Sequence, residues 1–128
     1  MKMNHLLSMK RVIIGAAWLL LDRPDANANL RQISAGNVQV WAIDTQDRLY
    51  RRRDIVAILP EGTIWELVDE HVLHVSVGAH DEVWAVLNPS SKHSRLKDQG
   101  SICVRRGITA SCPAGTGWEV VLEVSLTF

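Results

Sequence analysis

The feature that most constrains the fold is a pattern of residues that occurs twice along the chain. The first copy contains Gly-Thr-Ile-Trp-Glu at 62–66, and the second contains Gly-Thr-Gly-Trp-Glu at 115–119. Each copy also has a Val-Trp-Ala triplet, at 40–42 and at 83–85. The triplets are 43 positions apart and the later motifs 53 apart, because ten extra residues, 89–98, lie in the second copy. A period of about 42 residues with one insertion is typical of stacked repeats, which bury their faces on their neighbours.

Each copy predicts four short β-strands, because short apolar segments are separated by turn-forming Gly, Asn and Asp residues. The strands are expected at 29–34, 38–43, 48–53 and 64–68, and again at 72–77, 82–87, 101–106 and 117–122. No segment after residue 22 shows the periodicity of a helix. Four short strands per repeat are typical of a β-propeller blade. The predicted fold class is therefore all-β, a partial β-propeller of two four-stranded antiparallel blades.

The repeats set the predicted domain organisation. Residues 29–71 form the first repeat, and residues 72–128 form the second, whose insertion 89–98 is a polar exposed loop. The last residues of the second repeat are expected to begin a further strand. A propeller closes with about four to eight blades, so two blades alone would leave faces and edges uncovered. We expect the chain to be a fragment or short isoform of a longer protein, or else to self-assemble; the first is favoured because the sequence stops within a period.

Residues 1–28 have two interpretations. The Gly-x-x-Trp pattern at 15–18 matches the one at 62–65, which indicates the remnant of a preceding blade. Alternatively, basic residues precede an apolar segment at 12–21, and Ala-Asn-Ala follows at 26–28, as in a secretory signal peptide. Ten apolar residues are too few to cross a bilayer, so no transmembrane segment is predicted.

The charge and cysteine content exclude some classes of function. Fourteen basic residues balance fourteen acidic ones, so no excess of positive charge predicts a nucleic-acid partner. The two cysteines, Cys103 and Cys112, are nine positions apart without a Cys-x-x-Cys motif, so a zinc site is not predicted. Whether the two thiols are bridged depends on the compartment and is left open.

No group of residues predicts catalysis, and the chain is expected not to be an enzyme and to hold no metal or cofactor. His71 and His74 are three positions apart in a turn and a strand, which is a poor spacing for shared metal ligation. Ser34 and Ser76 each lie near a glycine, but no nucleophile elbow is present, so hydrogen-bonded turns are expected there.

The matched residues of the two copies predict structural roles. Large flat tryptophan side chains are suited to fill the wedge between stacked blades, so the members of each matched pair are expected to have like surroundings. The matched arginines are expected to pair across strands with Glu66 or Glu119. The signature residues are Gly36, Trp41, Arg52, Gly62 and Trp65 in the first copy, and Gly78, Trp84, Arg105, Gly115 and Trp118 in the second.

The motifs also resemble a known family, the tectonin repeat. Val-Trp-Ala-Ile-Asp at 40–44, Leu-Tyr-x-Arg-x-x-Ile at 49–55 and Gly-Thr-x-Trp-Glu-x-Val at 62–68 carry the resemblance in the first copy. Val-Arg-Arg-Gly-Ile-Thr at 104–109 and Pro-x-Gly-Thr-Gly-Trp-Glu at 113–119 carry it in the second. The two copies differ from each other where Asp44 and Asp54 are replaced by Leu87 and Gly107, which affects individual turns.

The resemblance implies one of two settings. One is a cytoplasmic propeller that docks proteins in autophagy or endolysosomal trafficking, with a peripheral location on autophagosomal or lysosomal membranes. The other is a secreted lectin-like protein that binds carbohydrate or lipopolysaccharide in innate defence. The expected partners are therefore a protein or further blades, with carbohydrate or a lipid headgroup as alternatives, and the resemblance supplies no catalytic residue.

Overall fold

The computed structural model describes residues 20–94 and 99–125, and this part of the chain contains eight β-strands and no helix. The strands are β1 (Leu30–Ala35), β2 (Val40–Asp44), β3 (Leu49–Arg52), β4 (Trp65–Asp69), β5 (Val72–Val77), β6 (Val83–Leu87), β7 (Gln99–Arg106) and β8 (Gly117–Ser125). The prediction of an all-β fold is confirmed.

The eight strands form two separate antiparallel sheets, each with its strands in sequence order. We call the sheet β1-β2-β3-β4 blade 1 and the sheet β5-β6-β7-β8 blade 2. The pairing of the last two strands shifts register once in each blade. The shift follows Leu49 in the β3–β4 pair of blade 1 and Ile102 in the β7–β8 pair of blade 2. These two residues are 53 positions apart, so the repeat in sequence is also a repeat in hydrogen-bond register.

The blades are stacked face to face and share one hydrophobic core. Blade 1 contributes Trp41, Ile43 and Leu49, all without exposed surface. Blade 2 contributes the residues that line its matching face, namely Val72, Val75, Val77, Val83, Ala85, Leu87 and Cys103. Strands β1 and β2 both contact β5, so the first strand of blade 2 makes the main contact between the blades. We call this contact region the joint.

The other face of blade 1 is partly covered by the residues that precede β1. Ala28 is fully buried there, and Leu21 packs beside it. They cover Ala42, Tyr50 and Trp65, which form a second, smaller core cluster. Residues 1–19, and with them most of the segment that resembles a signal peptide, lie outside the described residues.

The tight turn between β2 and β3 is built on the buried carboxylate of Asp44. This carboxylate accepts hydrogen bonds from the backbone N–H groups of Gln46 and Arg48, from Nε of Arg48 at 2.6 Å and from the Tyr50 hydroxyl at 3.1 Å. Burial, reinforced by Asp44, raises the pKa of Tyr50 to about 12. Burial acts against the charged form of Asp44, but these hydrogen bonds outweigh it and lower the pKa of the carboxyl.

Blade 2 replaces this polar turn by an apolar pair and a longer loop. Leu87 stands where blade 1 has Asp44, and Cys103 stands where blade 1 has Tyr50; both are fully buried. The loop that follows is capped by Asn88, whose side-chain oxygen accepts a hydrogen bond from the N–H of Ser90 at 2.9 Å. Residues 95–98 of the predicted insertion lie outside the described residues.

The final strand differs from the prediction for the end of the chain. Residues 117–125 form the single strand β8, so residues 120–125 continue blade 2 and do not begin a further strand. The reason is a longer partner: three pairs, from Ser101↔Glu123 to Gln99↔Ser125, extend the β7–β8 ladder beyond the repeat. Residues 126–128 lie outside the described part of the chain.

Candidate interaction surface

The joint between the blades is held by side chains of β1 that bind the backbone of β5. The Gln32 amide donates to the carbonyl of Val75 at 2.8 Å and accepts from the N–H of the same residue at 3.1 Å. The Ser34 hydroxyl accepts from the N–H of Val77 at 2.9 Å. In the first copy the Ser-x-Gly element therefore connects neighbouring blades, where the sequence predicted only a hydrogen-bonded turn.

Asp81 of blade 2 caps the β1–β2 turn of blade 1. Its Oδ1 accepts from three consecutive backbone N–H groups, those of residues 37–39, at 2.7, 3.0 and 3.1 Å. The signature residue Gly36 lies directly beneath: a Cβ there would be 2.5 Å from the Gly78 carbonyl oxygen and 2.6 Å from Oδ1 of Asp81. Only glycine lets the two turns approach this closely.

Gln39 connects the joint to the outer strands. Its Nε2 donates to the carbonyl of Pro113 at 2.8 Å, and its Oε1 accepts from Nε1 of Trp41 at 2.9 Å and from Nε of Arg51 at 3.1 Å. The side chain is buried with both ends satisfied, which fixes the orientation of the Trp41 ring inside the core. Comparison of the two copies could not identify Gln39, because its counterpart in the second copy is a glutamate, Glu82.

The signature arginines stack on the signature tryptophans of their own blade. The guanidinium carbon of Arg52 lies 5.3 Å from the ring centroid of Trp65, and that of Arg105 lies 4.8 Å from Trp118. The Nε of each arginine also donates to a loop carbonyl, that of Glu61 or of Ala114, at 2.8 and 2.9 Å. Burial lowers the pKa of both guanidinium groups.

The expected pairing of these arginines with glutamates is wrong, and their neighbours take that role. Arg51 binds Glu66 at 2.8 Å, and Arg106 binds Glu119 at 2.5 Å. Side chains alternate between the two faces of a strand, so the adjacent residue, and not the matched arginine, faces the glutamate. The matched arginines are structural side chains that clamp the loop containing Gly62 or Gly115, whose positive φ angles of 66° and 77° favour glycine.

The two outer tryptophans each donate their indole N–H to the preceding unit. Nε1 of Trp118 donates to Oδ2 of Asp69 in blade 1 at 2.9 Å. Nε1 of Trp65 donates to the carbonyl of Asp22 at 2.9 Å. Asp22 and Asp69 lie four positions after Trp18 and Trp65, respectively. The segment before β1 therefore contacts blade 1 in the same way that the end of β4 contacts blade 2, through a hydrogen bond to the matched tryptophan.

One face of blade 2 has no blade on it in the described part of the chain. We call it the open face; it carries His74, Ser76, Trp84, Val86 and Ile102, which line a shallow groove of about 180 Å³. Trp84 is 39% exposed there, whereas Trp41 at the matched position is 0% exposed. The expectation of like surroundings for this pair is therefore wrong with respect to solvent, since blade 2 covers Trp41 and no described residue covers Trp84 in the same way.

The turn beside the open face is capped from within its own blade. Glu82 folds over Gly78, so that its carboxylate takes the place that Asp81 takes over Gly36 at the joint. Its Oε1 also accepts from the N–H of His80 at 3.3 Å. The open face therefore borders a carboxylate that belongs to blade 2 itself.

No group of three or more His, Cys, Asp or Glu residues could hold a metal ion within residues 20–94 and 99–125. Both cysteines are free thiols, and burial raises the pKa of Cys103 to about 11. Within the same ranges, no helix is long and apolar enough to span a membrane.

Comparison with known proteins identifies relatives with this repeat. Residues 24–127 match the family model of the tectonin domain. A tectonin beta-propeller repeat-containing protein of Drosophila melanogaster is 36% identical over 106 residues, which are 74% of this chain and 7% of that protein. Tectonin beta-propeller repeat-containing protein 1 of Homo sapiens is 35% identical over 90 residues, which are 70% of this chain and 8% of that protein. The chain thus spans less than a tenth of the length of these relatives.

Proposed function

The chain belongs to the tectonin β-propeller repeat family, and from this premise we propose that it acts by binding and not by catalysis, as an interaction module within a propeller. The observation that carries this proposal is the use made of the signature residues. Gly36, Arg52 and Arg105 hold turns, loops and neighbouring blades, and Trp41, Trp65 and Trp118 fill the cores or bridge blades. These six recurring residues stabilise a rigid scaffold, and a docking platform requires such a scaffold.

We place this module in the cytoplasm, as a docking platform in autophagy or endolysosomal membrane trafficking. The intracellular branch of the family suggests this setting, and the two free thiols favour a reducing compartment. Cys103 is fully buried, and burial raises its pKa and keeps the thiol protonated. A buried, protonated thiol is a poor nucleophile for disulfide formation. The platform would bind proteins, and it would reach a membrane through them.

The test is to follow the full chain, tagged at its C-terminus, in cells. We expect it to retain Met1 and to co-sediment with autophagosomal or lysosomal membranes, from which removal of protein partners by high salt releases it. The matched control is Trp41→Ala, which disrupts the joint between the blades and should abolish the membrane association. Recovery from the medium of a chain that starts at Asn29 would contradict the cytoplasmic placement.

The alternative is a secreted lectin-like protein, and the observation that favours it is Trp84. Its indole is 39% exposed in a shallow groove beside His74 and Ser76, where a sugar ring could stack on it. Titration of the chain with lipopolysaccharide and with a panel of oligosaccharides, read by tryptophan fluorescence, tests this function. Saturable binding that Trp84→Ala abolishes would favour the lectin, and the absence of binding would reject it.

A further inference from the structure

The joint between the two blades is a template for what the open face can bind. At the joint, blade 1 presents Gln32, Ser34 and Trp41, and at the matched positions the open face presents His74, Ser76 and Trp84. Ser34 accepts a backbone N–H of β5, and Ser76 is exposed and chemically identical to it. Gln32 both donates to and accepts from Val75, and His74 at the matched position also carries ring nitrogens that form hydrogen bonds. The open face therefore carries side chains that can bind the backbone of the first strand of a further blade.

The two faces differ in their charges, because the second copy has Glu82 where the first has Gln39 and Val104 where the first has Arg51. At the joint, the turn of blade 1 has no carboxylate of its own and receives that of Asp81 from blade 2. At the open face, Glu82 already places a carboxylate over Gly78 and binds the N–H of His80. A second carboxylate brought to this turn would lie beside the first, and like charges at such short range repel.

In a propeller of this family a following blade packs on such a face, and we propose that Glu82 selects a following blade that has a neutral or basic residue where blade 2 has Asp81. The two successive joints of the propeller then differ in chemistry, and a blade suited to one is poorly suited to the other. The proposal rests on membership of the family and not on the cellular role proposed above, so either can fail without the other.

The occupant is a further blade of a longer protein and not a second copy of this chain. A second copy would have to offer the outer face of its own blade 1, and residues 21–28 already lie on that face. There Ala28 is fully buried, and the Trp65 indole N–H is taken by Asp22. The relatives, of which this chain spans 7% and 8%, are long enough to supply more blades.

The test adds a third blade to the full chain. A copy of residues 70–125 is joined after Phe128 through a flexible linker, and segmental isotope labelling distinguishes its peptides from those of blade 2. Two forms of the copy are compared: one retains Asp81, and the other carries Asp81→Asn in the copy alone. Each is made with Glu82 or with Glu82→Gln in blade 2. The readout is hydrogen exchange of the copied Val75 and Val77 amides, which docking protects as it does at the joint.

With Glu82 present, we expect the neutral copy to be protected roughly fivefold more than the acidic copy, the size of effect that one close like-charge contact produces. With Glu82→Gln, we expect the two copies to be protected to a similar degree, because the repulsion is removed and the longer turn of blade 2 already uses the N–H of Asp81 on the carbonyl of Gly78. Ser76→Ala in blade 2 should reduce protection of the copied Val77 amide. Equal protection of the two copies beside Glu82 would overturn the selection, and no protection in any variant would overturn the docking.

A folding control accompanies each variant. Ser76 and Glu82 lie on the surface that no described residue covers, so their substitutions in the chain without the added blade should leave the midpoint of chemical unfolding unchanged. A shift of that midpoint for Glu82→Gln would assign the residue to the stability of blade 2 and would overturn the proposed role.

Discussion

The two blades have the same strands and bulges, yet matched residues differ sharply in exposure. Ile33 in blade 1 is 39% exposed, and its counterpart Val75 in blade 2 is 2% exposed. For Trp41 and Trp84 the order is opposite, with the residue of blade 1 buried. The first pair points toward the preceding unit and the second toward the following one. Which residues are core is thus decided by the neighbours a blade has, and not by the residue type, as expected for stacked repeats.

The comparison of Trp41 with Trp84 gives the largest expected effect. Trp41→Ala should lower the free energy of unfolding by about 3–5 kcal/mol, because it empties a fully buried site and removes one of the two hydrogen bonds to Oε1 of Gln39. Trp84→Ala, on the open face, should lower it by less than about 1 kcal/mol. Chemical denaturation of the full chain measures both. Equal losses would show that Trp84 is covered in solution and would break the comparison.

The β2–β3 turn of blade 1 and the β6–β7 loop of blade 2 give the next largest expected difference in stability. Asp44→Asn should cost about 2–3 kcal/mol, since it weakens a buried, charge-assisted network that includes Arg48 and Tyr50. The pKa of Asp44 is lowered in the folded chain. Its contribution is therefore present above the unfolded pKa, near pH ~4, and is lost as the pH falls through the lower folded value.

The control for this prediction is the same pH series on the Asp44→Asn variant. The acid-dependent loss of stability assigned to Asp44 should be absent there, because the amide does not titrate. Blade 2 offers no corresponding loss at this position, where Leu87 packs beside Cys103. An unchanged acid profile in the variant would mean that other carboxylates dominate it.

The two turn-capping carboxylates give a smaller difference. Asp81→Asn should lower the free energy of unfolding by about 1–2 kcal/mol, because an amide oxygen is a weaker acceptor for three N–H groups than a carboxylate. Asparagine tolerates the positive φ of 65° at this position, so the change does not strain the backbone. Glu82→Gln, measured in parallel by thermal unfolding, should have little effect. A larger loss for Glu82→Gln than for Asp81→Asn would contradict the assignment.

Substitution of the stacked arginines should cause the smallest loss of stability, and the loss should be similar in the two blades. Arg52→Lys and Arg105→Lys should each cost about 1 kcal/mol, because lysine keeps the charge but loses the planar stack on tryptophan and the Nε–H bond to the loop. Thermal unfolding of each single variant and of the double variant tests this, and the two losses should add. Strong non-additivity would mean that the blades do not hold their loops independently.

The sequence predicted the repeat unit and its eight strands well, because the period and the turn residues are local signals. It also placed Trp41 and Trp65 in cores correctly. What it missed depends on contacts between units: the partner of Gln39, the cap supplied by Asp81 and the exposure of Trp84. Gln39 and Asp81 do not recur as pairs, so comparison of the two copies could not reveal their contacts. Trp84 does recur, but its exposure depends on which neighbour covers the face and not on the residue type.

The arginine assignment failed for a different reason. The matched positions Arg52 and Arg105 drew attention because they recur, but their neighbours Arg51 and Arg106, which bind the glutamates, lie one residue away. A one-residue shift changes the face of a strand, and only the register of β3 on β4 shows which arginine faces Glu66.

The extended β7–β8 ladder has a consequence for the shape that a visiting molecule meets. Its three additional pairs run beyond the matched end of blade 1, and three residues of strand correspond to ~10 Å. At that end, β7 and β8 extend farther than β3 and β4 do in blade 1. A molecule that contacts this end of the strands can therefore distinguish the second repeat from the first by the length of its last two strands.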